Sequence, residues 1–202
     1  MKTIHYLNKT ITPSKVVCVG RNYVEHIKEL NNESPENMVL FNKPNSAISS
    51  TLKYIHEKCR FEGEICFLIH NSRIQGIGFG FDLTKVDEQK KMKEKGLPWE
   101  RAKSFDNAAV LSHFVRFDGN IETLEMKLYM NNTLTQYATY DLMIYKPYEI
   151  IEEIEHFMSL EDGDIIMTGT PKGVTTYKKN DIFLAEIYID QKCILQEEFI
   201  VQ

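Results

Sequence analysis

Residues 61–69 constrain this chain more than any other segment. They are mostly apolar, aromatic or β-branched, which is typical of a β-strand. Side chains alternate between the two faces of a strand, so Glu62 and Glu64 are predicted to point the same way. Two neighbouring carboxylates on an apolar strand repel each other and lose solvation unless a positive charge lies between them. A divalent cation with oxygen ligands explains the pair, and an edge strand with one solvated face explains it equally well.

Length and composition fit one globular domain. The chain has 202 residues, of which 43% are hydrophobic and 26% charged. A net charge of −5 argues against non-specific binding to nucleic acid, which needs a basic face. No apolar signal region follows the N-terminus, and no apolar run approaches the ~18 residues of a membrane helix. We therefore predict a cytoplasmic protein with no membrane or nucleic-acid partner, in which residues 1–202 form a single catalytic domain and residues 1–14 are a short lead-in.

The pattern along the chain predicts an α+β protein that is mainly β, with a few short helices. The four cysteines lack the C-x-x-C spacing of zinc sites. Residues 31–37 are predicted to form a polar loop, and residues 43–45 are predicted to break a strand. Hydrophobic periodicity predicts helices at 22–30, 85–95 and 148–158, and strands at 16–20, 38–41, 74–82, 124–130, 133–140, 164–167, 182–189 and 193–201.

His26 and Glu29 are candidates for acid–base chemistry. They lie three residues apart and so share one face of the predicted helix. A carboxylate beside an imidazole fixes its tautomer and raises its basicity, which suits a general base. An ordinary charged surface helix explains the same spacing.

Asp82 ends a glycine-rich apolar strand, where an aspartate is unusual unless it is paired or ligates a metal. With Glu62 and Glu64 it would complete a set of three carboxylates, which suits Mg²⁺ or Mn²⁺ better than zinc. Alternatively, Asp82 or Thr84 caps the helix that follows. Lys103 near a metal could stabilise an enolate or carboxylate oxygen, although a solvated lysine is the simpler interpretation.

Residues 167–174 form a strand end and a glycine-containing turn. Their backbone N–H groups and the Thr170 hydroxyl are able to bind an anion, and a plain turn explains the sequence equally well. Each of these motifs is weak alone, but their order along the chain is informative. In sequence they are Gly-Arg-Asn-Tyr-x-x-His-x-x-Glu, Phe-x-Lys-Pro, Glu-x-Glu, Asp with Gln seven residues later, Gly-Leu-Pro-Trp-x-x-Ala-Lys-Ser-Phe, and Thr-Gly-Thr-Pro-x-Gly-Val.

Together, from about Lys15 to the C-terminus, these motifs resemble the fumarylacetoacetate hydrolase family, most closely its acylpyruvase and oxaloacetate decarboxylase subgroup. The resemblance implies the mixed β-roll, β-sandwich-like fold of that family, a homodimer, and a dyad segment that orders over bound substrate. It implies the following residue roles: Glu62, Glu64 and Asp82 as ligands of Mg²⁺ or Mn²⁺, His26 and Glu29 as the catalytic dyad, Lys103 beside the metal, and Gln89, Thr170 and Arg21 at the substrate.

Two departures from the family pattern stand out. Val86 replaces an arginine that relatives usually carry after the third ligand, and Lys85 is a candidate to compensate. Only 18 positions separate Glu64 from Asp82 (82 − 64), where relatives usually carry a longer connection. Residues 71–73 there are predicted to form a bare hairpin turn. We expect the shortening to spare the ligands and to alter a surface near them.

The implied activity is metal-dependent hydrolysis or decarboxylation at a carbon–carbon bond of a small 2,4-dioxo acid or 2-oxo dicarboxylate. One alternative is isomerisation or decarboxylation of an unsaturated 2-oxo or 2-hydroxy dioic acid from aromatic degradation. Another is a non-catalytic descendant that binds a metal and an oxo acid.

Overall fold

A mixed eight-stranded sheet forms the centre of the molecule. The computed structural model describes residues 1–29 and 37–202, apart from the side chain of Lys28. In order across the sheet, its strands are β4 (Val39–Pro44), β3 (Lys15–Gly20), β14 (Ile165–Met167), β7 (Gly63–His70), β8 (Arg73–Asp82), β10 (Ala109–Leu111) and β5 (Ile48–Ser49), with β11 (Val115–Arg116) pairing to β8.

Three smaller sheets and four short helices complete the described part of the chain. One sheet has the order β13 (Thr133–Thr139), β12 (Glu125–Met130), β16 (Ile182–Ile189), β17 (Lys192–Ile200); another has β15 (Thr175–Thr176), β6 (Cys59–Phe61), β9 (Thr84–Lys85); the third pairs β1 (Ile4–Tyr6) with β2 (Lys9–Ile11). The helices are α1 (Val24–Glu29), α2 (Val86–Glu94), α3 (Glu100–Lys103) and α4 (Pro147–Glu155). Among these residues, no helix is both long and apolar enough to cross a bilayer.

The two faces of β8 have different compositions, and this difference builds the fold. Ile77, Phe79 and Phe81 lie on one face and join the larger hydrophobic core. There the Phe81 ring packs edge-on against Phe183 of β16, with 5.2 Å between ring centroids. The central sheet thus packs against the four-stranded sheet, which confirms the predicted mainly-β sandwich-like architecture.

The other face of β8 carries glycines, because neighbouring side chains cross it closely. A Cβ placed on Gly80 would lie 2.6 Å from Met167 Cε and 2.8 Å from Cys66 Sγ, and one on Gly78 would lie 2.8 Å from Phe114. This close packing explains why the strand is rich in glycine.

Most predicted elements are present, with informative differences at their ends. The predicted break at residues 43–45 is wrong, because β4 continues through Pro44. Since β4 is an edge strand, the missing N–H of proline costs no ladder hydrogen bond. The last predicted helix ends at Glu155, which leaves the Phe157 ring 62% exposed. Of the predicted loop 31–37, residues 31–36 lie outside the described residues, as does the last predicted residue of the helix 22–30.

Asp164 fastens the start of β3 to the start of β14. Its buried carboxylate accepts hydrogen bonds from the Ser14 hydroxyl at 2.7 Å and from the Glu161 N–H at 3.0 Å, and it pairs with the Lys15 ammonium. Burial opposes ionisation, but the hydrogen bonds from Lys15 and Ser14 outweigh it and hold the pKa of Asp164 below its ordinary value.

We predict that Asp164→Asn lowers the free energy of unfolding by about 2–4 kcal/mol at pH 7, because it leaves buried donors without a charged acceptor. Because the pKa of Asp164 is lower in the folded state, its carboxylate contributes its full stabilisation above the unfolded-state pKa of about 3.9. That stabilisation is lost progressively as the pH falls through the folded-state pKa. Urea unfolding from pH 7 to pH 3 measures this. Asp162→Asn, at an exposed carboxylate in the same segment, serves as the control, and equal losses in both variants would contradict the prediction.

Candidate metal centre and active site

The register of β7 and β8 brings two of the predicted carboxylates together. Glu64 lies opposite Gly80, and Asp82 lies two residues further along the same face of β8. Gly80 has no side chain, so it places no side chain of its own between the two carboxylates on that face. Glu62 lies just before β7, and one oxygen from each of Glu62, Glu64 and Asp82 lies within 4.8 Å of the others. The alternative interpretation, in which Asp82 or Thr84 caps the following helix, is wrong. Lys85 occupies the N-cap position of α2.

Two buried lysines lie against this carboxylate cluster. The Lys103 ammonium donates hydrogen bonds to Glu62 Oε2 at 2.8 Å, to Asp82 Oδ2 at 2.6 Å and to Thr84 Oγ1 at 2.6 Å. The Lys43 ammonium lies 2.7 Å from Asp82 Oδ1 and donates to the Lys103 carbonyl. Within the described residues, this buried oxygen has a charge partner and accepts no hydrogen bond.

Burial and mutual repulsion set the pKa values of the three acids. Burial, followed by repulsion from Asp82 and Glu62, raises the pKa of Glu64 well above its ordinary value. Burial also raises the pKa of Asp82, although Lys103 and Lys43 oppose the change. For Glu62, burial raises the pKa, but the attraction of Lys103 and His26 and the hydrogen bonds from Lys103 and Thr84 together outweigh it and lower the pKa to about 2.

These observations fit a divalent cation. Three carboxylates face two ammonium groups, so the ionised cluster is one negative charge in excess, at a depth where that charge is costly. The donors are hard oxygens, which Mg²⁺ and Mn²⁺ prefer. Asp82 Oδ1 and the Glu64 carboxylate each have a lone pair able to bind such a cation.

The turn at residues 168–173 binds anions through its backbone, and those anions belong to the chain itself. The Gly169 N–H donates to Glu64 Oε2 at 2.7 Å, and the Gly173 N–H donates to Glu29 Oε1 at 3.1 Å. Gly169 has a φ of +95°, and a Cβ there would lie 2.8 Å from the Asn22 side chain. The turn therefore orients one acid of the cluster and the acid of the predicted dyad.

His26 and Glu29 form the predicted pair. His26 Nδ1 lies 3.2 Å from Glu29 Oε2, and the imidazole is 6% exposed. When Nδ1 carries the proton toward Glu29, Nε2 keeps its lone pair and can accept another proton. His26 also lines a cavity of about 40 Å³ together with Glu62 and Lys103.

Two of the three predicted substrate residues line the same cavity, which we call the inner cavity. They are Arg21 and Gln89. Arg21 has a φ of +59°, an unusual conformation for a residue with a side chain. Thr170 is placed differently, because its hydroxyl donates to the Gly63 carbonyl at 2.9 Å and accepts from Gln136 Nε2 at 2.8 Å. A role of Thr170 at the substrate stays a prediction.

The two departures from the family pattern lie in different places. Val86 lines a second cavity of about 240 Å³, the outer cavity, whereas the Lys85 ammonium lies 4.3 Å from the centroid of the Phe105 ring and lines neither cavity. The shortened connection is the predicted hairpin turn, with positive φ at Asn71 and Ser72. It lies at the far end of β7 from Glu64, roughly 20 Å along the strand. The expectation that it alters a surface near the ligands is therefore wrong.

Several residues of the site were not singled out from the sequence. Lys43 lies in the Phe-x-Lys-Pro motif, but the sequence does not show that this lysine is buried beside the carboxylates. Asn22 donates to the Thr168 carbonyl at 2.8 Å and accepts from the Tyr145 N–H at 2.7 Å, which attaches the segment before α1 to the turn. Gln136 accepts from the Gly63 N–H at 2.9 Å. Nothing in its local sequence distinguishes Gln136 from a surface strand residue.

Comparison with known proteins agrees with this arrangement. The family model described as fumarylacetoacetate (FAA) hydrolase C-terminal matches residues 15–197. The chain belongs to the fumarylacetoacetate hydrolase family. It is thus an enzyme-family member whose relatives process small oxo acids, which confirms the resemblance inferred from the motifs.

Three relatives illustrate the similarity. The oxaloacetate tautomerase YcgM of Escherichia coli (strain K12) is 37% identical over 187 residues, covering 83% of this chain and 85% of that one. The crystal structure of a putative fumarylacetoacetate isomerase/hydrolase from Oleispira antarctica superposes with a TM-score of 0.92 at 34% identity, covering 100% of both chains. Fumarylpyruvate hydrolase from Pseudomonas aeruginosa, solved with Mn²⁺ and pyruvate, gives a TM-score of 0.88 at 26% identity, covering 99% of this chain and 95% of that one.

We predict that Gly63→Ala lowers the free energy of unfolding by about 1–3 kcal/mol. A Cβ at this position would lie 2.7 Å from both Gln136 Oε1 and Leu128 Cδ2, between the two glutamates of the cluster. Urea unfolding of the variant measures the loss. Gly20→Ala is the control, because its Cβ would meet only Val39 at 3.3 Å or more. A loss at Gly63 no larger than at Gly20 would contradict the prediction.

Proposed function

We propose that this protein is a divalent-metal-dependent enzyme that enolises short 2-oxo acids, with oxaloacetate as its substrate. One observation carries the proposal: Glu62, one of three clustered carboxylates able to hold a cation, lines the inner cavity together with the buried Lys103 and with His26 of the His26–Glu29 pair. The similarity to an oxaloacetate tautomerase over most of the chain supports the choice of substrate.

In this proposal, Glu62, Glu64 and Asp82 hold Mg²⁺ or Mn²⁺. When bound, such an ion supplies Lewis-acid polarisation of a carbonyl group. The surrounding residues exclude water and fix the orientation of the acids: the Gly169 N–H orients Glu64, and Thr84 Oγ1 donates to Glu62 Oε1 at 2.9 Å. The Lys103 ammonium stabilises negative charge on the carbonyl oxygen as the enolate forms.

His26 is the proposed general base. Its Nε2 accepts a proton from C3 of oxaloacetate while Glu29 stabilises the imidazolium through Nδ1. The C3–H electron pair becomes the C2–C3 double bond, and the carbonyl pair moves onto the C2 oxygen. The imidazolium then returns the proton to that oxygen, which gives the neutral enol and regenerates the base.

Carbon–carbon bond cleavage is the second candidate function, because it passes through the same enolate. The relative solved with Mn²⁺ and pyruvate is a fumarylpyruvate hydrolase, and pyruvate is the product that such a cleavage releases. With an acylpyruvate, His26 would activate water to attack the distal carbonyl, and the pyruvate enolate would leave. With oxaloacetate, loss of CO₂ would give the same enolate without an attacking water.

The remaining alternatives are separable by product. Isomerisation of an unsaturated dioic acid moves a proton between carbons and releases no fragment. A non-catalytic descendant would bind oxalate in the presence of Mg²⁺ and convert none of these acids. Product analysis by NMR on oxaloacetate, acetylpyruvate and an unsaturated 2-hydroxy dioic acid therefore ranks the candidates. The homodimer and the cytoplasmic location stay predictions.

We predict that Glu64→Gln weakens Mn²⁺ binding by at least about 100-fold, since it removes a charged ligand. Calorimetry on the metal-free protein measures binding, and EDTA should abolish oxaloacetate enolisation until Mg²⁺ is restored. Glu198→Gln, at an exposed position on β17, is the matched control. Unchanged Mn²⁺ affinity in Glu64→Gln would exclude the proposed metal site.

We predict that His26→Asn lowers kcat for enolisation by about 10²–10⁴ and leaves Mn²⁺ affinity unchanged, because His26 is the base and not a ligand. The ultraviolet absorbance of the enol follows the reaction. His156→Asn, at a residue whose side chain is 68% exposed, is the control. If His26→Asn kept its kcat, another group would have to be the base.

A further inference from the structure

The inner and outer cavities meet at a shared wall. Glu62, Gln89 and Lys93 line both of them. The inner cavity, at about 40 Å³, has room for roughly three water-sized groups. The outer cavity, at about 240 Å³, offers the far end of a dicarboxylate more room than the inner cavity does.

Lys93 is placed to meet that far end. Val86, Gln89 and Lys93 are spaced at three and four residues along α2 and so lie on one helix face. Val86 contributes no charge to the outer cavity. Seven residues later on the same face, Lys93 contributes an ammonium group to both cavities.

Within the described residues, the Lys93 ammonium has no carboxylate within ion-pair distance. It lies instead 5.1 Å from the centroid of the Trp99 ring, which attracts the cation without neutralising it. Arg21 and Lys103 line the inner cavity with it. Desolvation, then repulsion from Arg21 and Lys103, lowers the pKa of Lys93. An anion bound between these groups would relieve that repulsion.

We propose that Lys93 binds the distal carboxylate of a 2-oxo dicarboxylate and thereby makes the enzyme prefer dicarboxylates to uncharged 2-oxo acids. The inference rests on the proposed function, because it takes the 2-oxo acid end of the substrate to lie at the carboxylate cluster. Lys93 is a specificity-determining residue in this scheme and takes no part in proton transfer.

Lys93→Met, Lys93→Arg and Lys91→Met test the proposal. Lys91 lies on the same helix and lines neither cavity, so its variant is the matched control for loss of a charge. Calorimetry with Mg²⁺ present compares three ligands: oxalate, which has no distal group, and the length-matched pair 2-oxoglutarate and 2-oxopentanoate, of which only the first has a distal carboxylate.

We expect Lys93→Met to weaken 2-oxoglutarate binding about tenfold and to raise the KM for oxaloacetate by a similar factor. Binding of oxalate and 2-oxopentanoate, and kcat, should stay within about twofold. Lys93→Arg should retain most of the preference, and high salt should reduce it.

Two outcomes overturn the inference in distinguishable ways. If the wild-type protein binds oxalate with Mg²⁺ but Lys93→Met weakens all three ligands equally, or none, the role of Lys93 is excluded and the proposed function stands. If the wild-type protein does not bind oxalate with Mg²⁺, the proposed function fails, and this inference fails with it.

Discussion

The contact of two buried carboxylates, Glu64 and Asp82, with the partly buried Glu62 is the constraint on which the rest of the site depends. Each of the acids is stable as an anion only when positive charge or donated hydrogen bonds offset its lost solvation. Lys103 and Lys43 supply two charges, and the Gly169 N–H and Thr84 hydroxyl supply oriented donors. The remaining excess of negative charge is what the proposed divalent cation would balance.

The turn at 168–173 extends this electrostatic dependence to the catalytic pair. One N–H of the turn binds Glu64 in the cluster, and another binds Glu29 on α1. At the protein surface, the Lys172 ammonium pairs with Glu25 Oε2 at 2.6 Å. The helix that carries His26 is therefore attached to the same short turn that orients Glu64 of the cluster. This arrangement fixes His26 and the cluster relative to each other through a few hydrogen bonds from the backbone.

Much of this site could be predicted from the sequence, for physical reasons that differ by residue. Glu62, Glu64 and Asp82 stand out because a charge in an apolar strand needs an explanation. His26 and Glu29 share a helix face by spacing alone. Lys43 and Gln136 could not be found in this way, since their roles come from burial and from pairing with residues distant along the chain. The continuation of β4 through Pro44 was equally hidden, because whether a strand is an edge depends on the whole sheet.

Two aromatic rings, those of Phe41 and Trp99, lie beside the inner cavity and contact its lysines. The centroids of Phe41 and Trp99 lie 5.8 Å apart, and the Lys103 ammonium lies 5.2 Å from the Phe41 centroid. The Trp99 ring contacts Lys93 in a similar way. An aromatic face attracts an ammonium group by its quadrupole but carries no net charge. Lys103 is paired with carboxylates of the cluster, whereas within the described residues Lys93 contacts the Trp99 ring and no carboxylate. A carboxylate partner would neutralise Lys93, whereas the ring leaves its charge available to the distal carboxylate that we propose it binds.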